Sequence, residues 1–316
     1  MNKKSCPVCK SLHTVKNGKR NGTQIYKCAD CGYQFRSNKL ASDEQIWSQY
    51  LQNKQTIHEL AATHKVSPST IKRQLRNISI KWVQPELNCG GFVHLDATYW
   101  GRNSGIIVAL DSQTSKILYL SFIKHEKVAD YEHAIESITR RNYEIRGIVI
   151  DGLKSLFIQF SSYKIQMCHF HMIQIIKRNI TQNPRLLAAR ELQRLILGLS
   201  HTNRESFEKD YSNWKETHQA TISKRSVLKN GKSRYRHRRL RSAMNSIDYY
   251  LPYLFTYQEP GCEGMPNTNN KLEGLFTDLK KNLNNHSGMR EKNRKWFICG
   301  FSWHGSKLLA RKKAGT

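Results

Sequence analysis

Apolar positions along this chain change their period several times, and each change marks a different kind of element. Between residues 41 and 85 they recur every three or four positions, the spacing of helices with one buried face. Ser42 and Asp43 offer an N-cap ahead of Ile46, Trp47, Tyr50 and Leu51, and the stretch from Thr56 to His64 turns Ile57, Leu60 and Ala61 inward. Lys65, Val66 and Ser67 form a short turn, and Ser67 then caps a third helix that has Pro68 at its first position and runs through Ile71 and Leu75. The segment reads as a helix-turn-helix. Its third helix presents Ser69, Thr70, Lys72, Arg73, Gln74 and Arg76, groups able to reach base edges and phosphates in a major groove. A three-helix interaction module with a solvated basic face is the alternative.

From residue 90 the texture becomes short β-rich runs. Phe92 to Tyr99, Ile106 to Leu110 and Ile117 to Phe122 are three strands, and the links between them are short enough to imply an antiparallel meander. Ala129 to Arg141 reads as a helix, Gly147 to Ile150 as a strand ending at Asp151 and Gly152, Ser155 to Phe160 as a short helix, and Lys164 to Met167 as a fifth strand. A helix between the third and fourth strands lets the fourth lie parallel beside the first in the favoured hand. That arrangement brings Asp96 and Asp151 together. Each sits in or at the end of an apolar strand, where a carboxylate has no packing role and where α/β sheets build their sites. Two carboxylates about 4 to 6 Å apart repel unless cations lie between them, so the pair implies Mg²⁺ or Mn²⁺. A strand-end cap and a turn residue are the plainer readings of the two. Asp111 also ends an apolar strand, but at a hairpin where Asp is a common turn former, and it is left out.

Within residues 173–265, Ile173 to Ile180, Pro184 to Leu199 and Phe207 to Thr217 read as helices. In the same segment Lys224 to Arg241 holds nine Lys or Arg and no acid, with Tyr235 and His237 interleaved. A run of one sign without partners favours phosphate binding through Arg234, Arg236, Arg238 and Arg239, although a solvated helix face is the usual account of such a run. In 266–316, Leu272, Leu275, Phe276, Leu279 and Leu283 form an apolar helical stripe, and Asn270, Glu273, Thr277 and Lys280 a polar one beside it. Glu273 is placed to reach the two aspartates, and Lys280, two turns on, to meet a DNA backbone. Trp296, Phe297, Phe301 and Trp303 are expected to pack this helix to the core, ahead of a basic end, Lys307 to Lys313.

Charge and cysteine usage narrow the picture. Against 52 Lys and Arg stand 24 Asp and Glu, a formal charge of +28 that makes nucleic acid the first expected partner. No run approaches the roughly 18 apolar residues of a membrane span, and the start, MNKKSCPVCK, turns polar where a signal peptide turns apolar, so a cytoplasmic protein without a membrane partner is expected. In a reducing compartment the eight cysteines count as thiols and metal ligands. Cys6 and Cys9 form one C-x-x-C and Cys28 and Cys31 a second, which together supply four thiolates for one structural Zn²⁺ in residues 1–40, a zinc ribbon. Two redox pairs are the alternative, but residues 1–40 are too few for the βαβ setting such pairs need.

The runs HLDATYW, GIVIDG and CHFH, followed by NTNNKLEGLFTDLKK, stand in this order over nearly the whole chain. Together they resemble the Mutator-like transposases of bacterial insertion sequences, in particular the variant group with an N-terminal zinc ribbon. That resemblance implies an α/β fold: a ribonuclease H-like core (90–172 and 266–316) interrupted by an all-helical insertion (173–265) and preceded by the zinc ribbon (1–40) and the helix-turn-helix (41–85). It places Asp96, Asp151 and Glu273 on the family's acidic triad, holding two Mg²⁺ or Mn²⁺ ions, and Cys168 and His171 on its Cys-x-x-His element, read here as bracing the active-site floor or contacting DNA. His169 has no assigned role. The implied function is metal-dependent cleavage and strand transfer at transposon ends, by an oligomer on double-stranded DNA that includes a target, in a bacterial cytoplasm at the nucleoid. A DNA-binding regulator that no longer cuts, or a metal-dependent nuclease without strand transfer, would retain parts of the same pattern.

Overall fold

The computed structural model describes residues 4–20, 23–36, 41–78, 87, 89–228 and 230–313, with Thr23 and residues 303–313 as backbone only. The expected end of the second segment (79–85), the side chain of Trp303 and those of the basic end Lys307 to Lys313 therefore lie outside the described residues. The chain is mixed α/β and divides into two units, Met1–Ser79 and Ile80–Thr316.

In the first unit, strands β1 (Thr14–Arg20), β2 (Thr23–Cys28) and β3 (Gln34–Arg36) pair antiparallel in that order. Among the described residues from 4 to 36 only Cys6 and Cys28 are buried, so this ribbon has no apolar core of its own. The three helices that follow are α1 (Asp43–Gln52), α2 (Ile57–Thr63) and α3 (Pro68–Asn77). Their starts are fixed by local chemistry. Ser42 with Gln45, and Thr56 with Glu59, form reciprocal capping boxes, and Ser67 caps α3 ahead of Pro68. Ile46, Leu51, Leu60 and Ile71 are fully buried between the helices, each contributing about 1.5–3 kcal/mol of transfer free energy.

The second unit is built on a five-stranded sheet in the order β6-β5-β4-β7-β8. Strands β4 (Cys89–Gly101), β5 (Ser104–Asp111) and β6 (Ile117–Ile123) form the antiparallel meander. Helix α4 (Val128–Thr139) crosses over, so that β7 (Tyr143–Ile150) lies parallel to β4. Helix α5 (Lys154–Gln159) then returns the chain to β8 (Ile165–Met167), parallel to β7. The buried face of α4, Tyr131, Ala134, Ile135 and Ile138, joins Val93 and Leu95 of β4 in the main core. Phe92 points the other way, into a smaller cluster with Val149, Cys168, Cys262 and Met265.

Helices α6 (His169–Ile180), α7 (Leu187–Leu197), α8 (Arg204–Thr217) and α9 (Gln219–Ser223) follow. The expectation of an all-helical insertion needs correction, because β9 (Arg225–Val227) and β10 (Ser233–Tyr235) form a hairpin inside the basic run. Its turn includes Asn230 and Gly231, the latter at φ 76°, a backbone that glycine adopts without strain. Helix α10 (Arg238–Leu254) packs on α6 and β8, α11 (Asn270–Asn285) on β4, and α12 (Glu291–Lys313) on α11 and β6.

Candidate active site

The sheet register aligns the two aspartates. β4 and β7 run parallel with His94 opposite Val149, so continuing both chains by two residues sets Asp96 level with Asp151, which follows the last residue of β7. Neighbouring strands lie about 4.8 Å apart, and the alternation of β4 turns Asp96 to the same face as Phe92 and His94. Asp151 Oδ1 accepts the Leu153 amide (3.1 Å) as the chain leaves the sheet. Between them stands Gly152, where a Cβ would lie 2.6 Å from Ile175 Cδ1, so a larger residue would push the end of that side chain aside where α6 packs on this turn.

Glu273 arrives on the first turn of α11, and a buried clasp sets where that helix starts. Asn269 donates its amide to Cys168 Sγ (3.2 Å), the His169 amide donates to the Asn267 carbonyl (2.9 Å), and Nδ1 of fully buried His94 lies 2.8 Å from Asn269 Oδ1. Strand β4, the junction of β8 with α6 and the start of α11 are thereby fastened at one point. Burial drives the His94 pKa down to about 4, so its ring is neutral and Nδ1–H can donate to the Asn269 oxygen. His169 now has a role. It is fully buried, with Nε2 2.6 Å from the Leu254 carbonyl and Nδ1 3.1 Å from Ser200 Oγ, and so ties the end of α10 to the start of α6.

The three acids share one electrostatic neighbourhood with a fourth that the sequence pattern did not single out. Burial, followed by the charge of Asp151, raises the Asp96 carboxyl well above the ordinary range, and Glu126 and Glu273 add to the rise. The Ala97 amide (2.7 Å) opposes it. Glu126 lies between β6 and α4, accepts a hydrogen bond from the Tyr131 hydroxyl, and is itself raised by burial and by Asp151. Glu273 is raised by burial, and its Oε1 is buried without a hydrogen-bond partner. Asp111 is the contrast. Burial pushes it up too, but Thr114, Tyr143 and the Gln113 amide all donate to it and bring it below the usual value. A carboxylate so fully satisfied is a turn anchor. Asp96, with one donor and three like charges around it, is poorly satisfied without a cation.

Cys168 is fully buried, and burial raises its thiol to about 11. His171, one turn into α6, has Nε2 3.6 Å from Glu273 Oε1, and burial depresses its pKa against the charge of Asp151. Both therefore flank the third acid.

The basic run borders a cavity of about 470 Å³ between the end of α6, the start of α7 and the start of α10. Arg234, Arg236, Arg238 and Arg239 line it with Arg185, and these four are exposed. Tyr235 is held between the guanidinium groups of Arg225 (4.4 Å) and Arg241 (3.7 Å), which keeps the hairpin against α10. Lys280 is exposed on α11. In the first unit Lys72, Arg73 and Arg76 are exposed, while Thr70 is half-buried and its amide takes the Ser67 cap. Gln74 departs from expectation. It is buried and donates to the Ala41 carbonyl (2.9 Å), because it falls between Ile71 and Leu75 on the inner face of α3.

The four N-terminal sulfurs lie within 4.8 Å of one another, with Cys6 and Cys31 3.6 Å apart and Cys9 and Cys28 3.5 Å, a cluster that can hold a structural metal such as zinc. Burial opposes ionisation of Cys6, yet the amides of Cys9 and Val8 and the neighbouring thiols lower its pKa to about 7. Among the described residues no helix is long and apolar enough to cross a membrane. No family model matches the chain, and no curated protein matches it.

Proposed function

We propose that this chain is a DNA transposase with a ribonuclease H-like core, cutting and joining DNA strands at a site made by Asp96, Asp151 and Glu273. The observation that carries the reading is the register that sets Asp96 level with Asp151 across two parallel strands, and burial with the charges of Asp151 and Glu273 pushes the Asp96 carboxyl up. A meander, a crossover helix and a parallel strand, with the last acid on a later helix, are the parts such a core needs.

The donor set fits hard divalent cations. Asp96, Asp151 and Glu273 offer only carboxylate oxygens, the crowding around Asp96 is relieved by positive charge, and Glu273 Oε1 is buried with no hydrogen-bond partner among the described residues. Those three residues would hold two Mg²⁺ or Mn²⁺ ions, which when bound supply Lewis-acid polarisation of the scissile phosphate and of the attacking water or 3′-hydroxyl. The remaining work falls to the protein. His94, Asn269 and Cys168 keep Glu273 opposite the aspartates, and Tyr131 orients Glu126 beside them. Arg234, Arg236, Arg238 and Arg239 neutralise phosphates along the duplex, with exposed Lys280 on the helix of Glu273 adding a further charge. In the first unit, Cys6, Cys9, Cys28 and Cys31 hold one Zn²⁺ that folds the ribbon, and Lys72, Arg73, Arg76 and Thr70 on α3 read transposon ends as a helix-turn-helix does.

The test is product analysis. Purified chain, Mg²⁺ and a plasmid carrying the sequences that flank the gene should yield strands with free 3′-hydroxyls at the ends, and those strands joined to target DNA. Hydrolysed ends without joining would reduce the proposal to a nuclease, and intact DNA despite end binding would reduce it to a regulator.

A further inference from the structure

Cys168, His171 and Glu273 do more than flank one another. Their ligand atoms all lie within 4.8 Å of one another. Cys168 and His171 are three residues apart at the start of α6, a spacing that puts them on one face of the helix, and Glu273 meets them from α11. His171 Nε2 lies 3.6 Å from Glu273 Oε1, beyond hydrogen-bond distance, and among the described residues neither Glu273 Oε1 nor His171 Nδ1, both buried, has a hydrogen-bond partner, so hydrogen bonds do not close the group.

We infer that Cys168, His171 and Glu273 form a second metal site, for a borderline-soft cation of the Zn²⁺ or Co²⁺ class, which competes with the acid cluster for Glu273. A thiolate, an imidazole and a carboxylate make a mixed donor set that hard Mg²⁺ does not choose and Zn²⁺ does. Bond lengths of about 2.0 to 2.3 Å separate tetrahedral ligands by roughly 3.3 to 3.8 Å, so the three groups need to close only slightly. On binding, the metal–sulfur bond forms as the thiol proton leaves to solvent. The Asn269 amide, already donating to Cys168 Sγ at 3.2 Å, stays in place to stabilise the thiolate. Three protein ligands leave a fourth position open. With the soft ion bound, the Glu273 carboxylate is turned toward α6 and withdrawn from Asp96 and Asp151, so Zn²⁺ holds the site off. The binding claim stands on the triplet itself, and only the regulatory consequence rests on the transposase reading.

The experiment is a Co²⁺ titration of the full chain with its ribbon kept loaded with Zn²⁺, followed by sulfur-to-cobalt charge-transfer absorption. The expected result is one further equivalent of Co²⁺ with the intensity of a single thiolate. The band should be absent in Cys168→Ser and His171→Ala and at least tenfold harder to form in Glu273→Gln, with saturating Mg²⁺ also weakening it. Retained ribbon zinc and an unchanged circular dichroism spectrum identify folded variants, and His171, about one quarter exposed in its side chain, tolerates truncation better than the buried cysteine. No band in the wild type, or an unchanged band in folded Cys168→Ser or in folded His171→Ala, overturns the inference. A chain that binds Co²⁺ in this way and yet, freed of it and supplied with Mg²⁺, cuts no DNA keeps the site and sinks the transposase reading.

Discussion

Asp96→Asn should stabilise the metal-free protein, the opposite of what most substitutions of a buried polar residue do. The amide conserves volume and its oxygen can still accept the Ala97 amide, so what is removed is one negative charge among four carboxyls. Asp96 and Asp151 stand level on strands about 4.8 Å apart, and at an effective dielectric near 20 two unit charges at that spacing repel by about 3 kcal/mol. The wild type escapes part of this by keeping a proton, so the variant should gain about 1–3 kcal/mol at neutral pH, or roughly 3–10 °C in Tm. The sign follows from the raised folded-state pKa. Below the unfolded value of about 3.9 both states are protonated and Asp96 costs nothing. As pH rises past it the unfolded chain ionises first, and the wild-type fold loses stability until Asp96 itself ionises. The advantage of Asp96→Asn is therefore absent near pH 3–4 and grows toward neutrality. Saturating Mg²⁺ should erase or reverse it, because the cation stabilises the wild type and the variant has lost a ligand. Differential scanning calorimetry across pH, with and without Mg²⁺, reads all of this. A variant less stable than the wild type at neutral pH without metal, or a gain that ignores pH, refutes the reasoning.

Other outcomes follow from the same structure. Asn269→Ala leaves the buried His94 Nδ1 without its acceptor and should cost about 1–3 kcal/mol in denaturant unfolding, with DNA cleavage falling further than DNA binding as Glu273 loses its anchor. Replacing Arg234, Arg236, Arg238 and Arg239 with Ala should weaken binding to every duplex alike and flatten the slope of log K against log salt by about 0.9 for each phosphate no longer neutralised; an unchanged slope would remove the cavity from the DNA path. Metal analysis should find one zinc per chain, and stripping it with a chelator should collapse the amide spectrum of residues 4–36, whose described residues bury only Cys6 and Cys28; a ribbon still folded without metal would contradict that.

Asp96 and Asp151 were legible in the sequence because a carboxylate set into apolar strands has no packing role, and the order of strands and helix fixed which two strands would be neighbours. The starts of α1 and α3 were legible for a local reason, since Ser42 and Ser67 act on amides three positions away. Glu126 was not. It lies in a polar loop, Lys124 to Lys127, whose pattern says nothing about which residue a tertiary fold will turn inward. His94 occupies a position on β4 that alternation leaves open, and its burial depends on α11 arriving from 175 residues away in sequence. The β9–β10 hairpin hid because its strands are only three residues each, too short for alternation to show, with Asn230 and Gly231 as its turn signal. Gln74 was recoverable, because the spacing of Ile71 and Leu75 already places it on the inner face.

The central claim is that three acids distant in sequence form one cutting site, and single-turnover nicking of end-bearing DNA in Mg²⁺ tests it most directly. Asp96→Ala, Asp151→Ala and Glu273→Ala should each abolish nicking while leaving affinity for the ends within a few-fold of the wild type. Wild-type nicking by any one of the three would contradict the claim and remove that residue from the site.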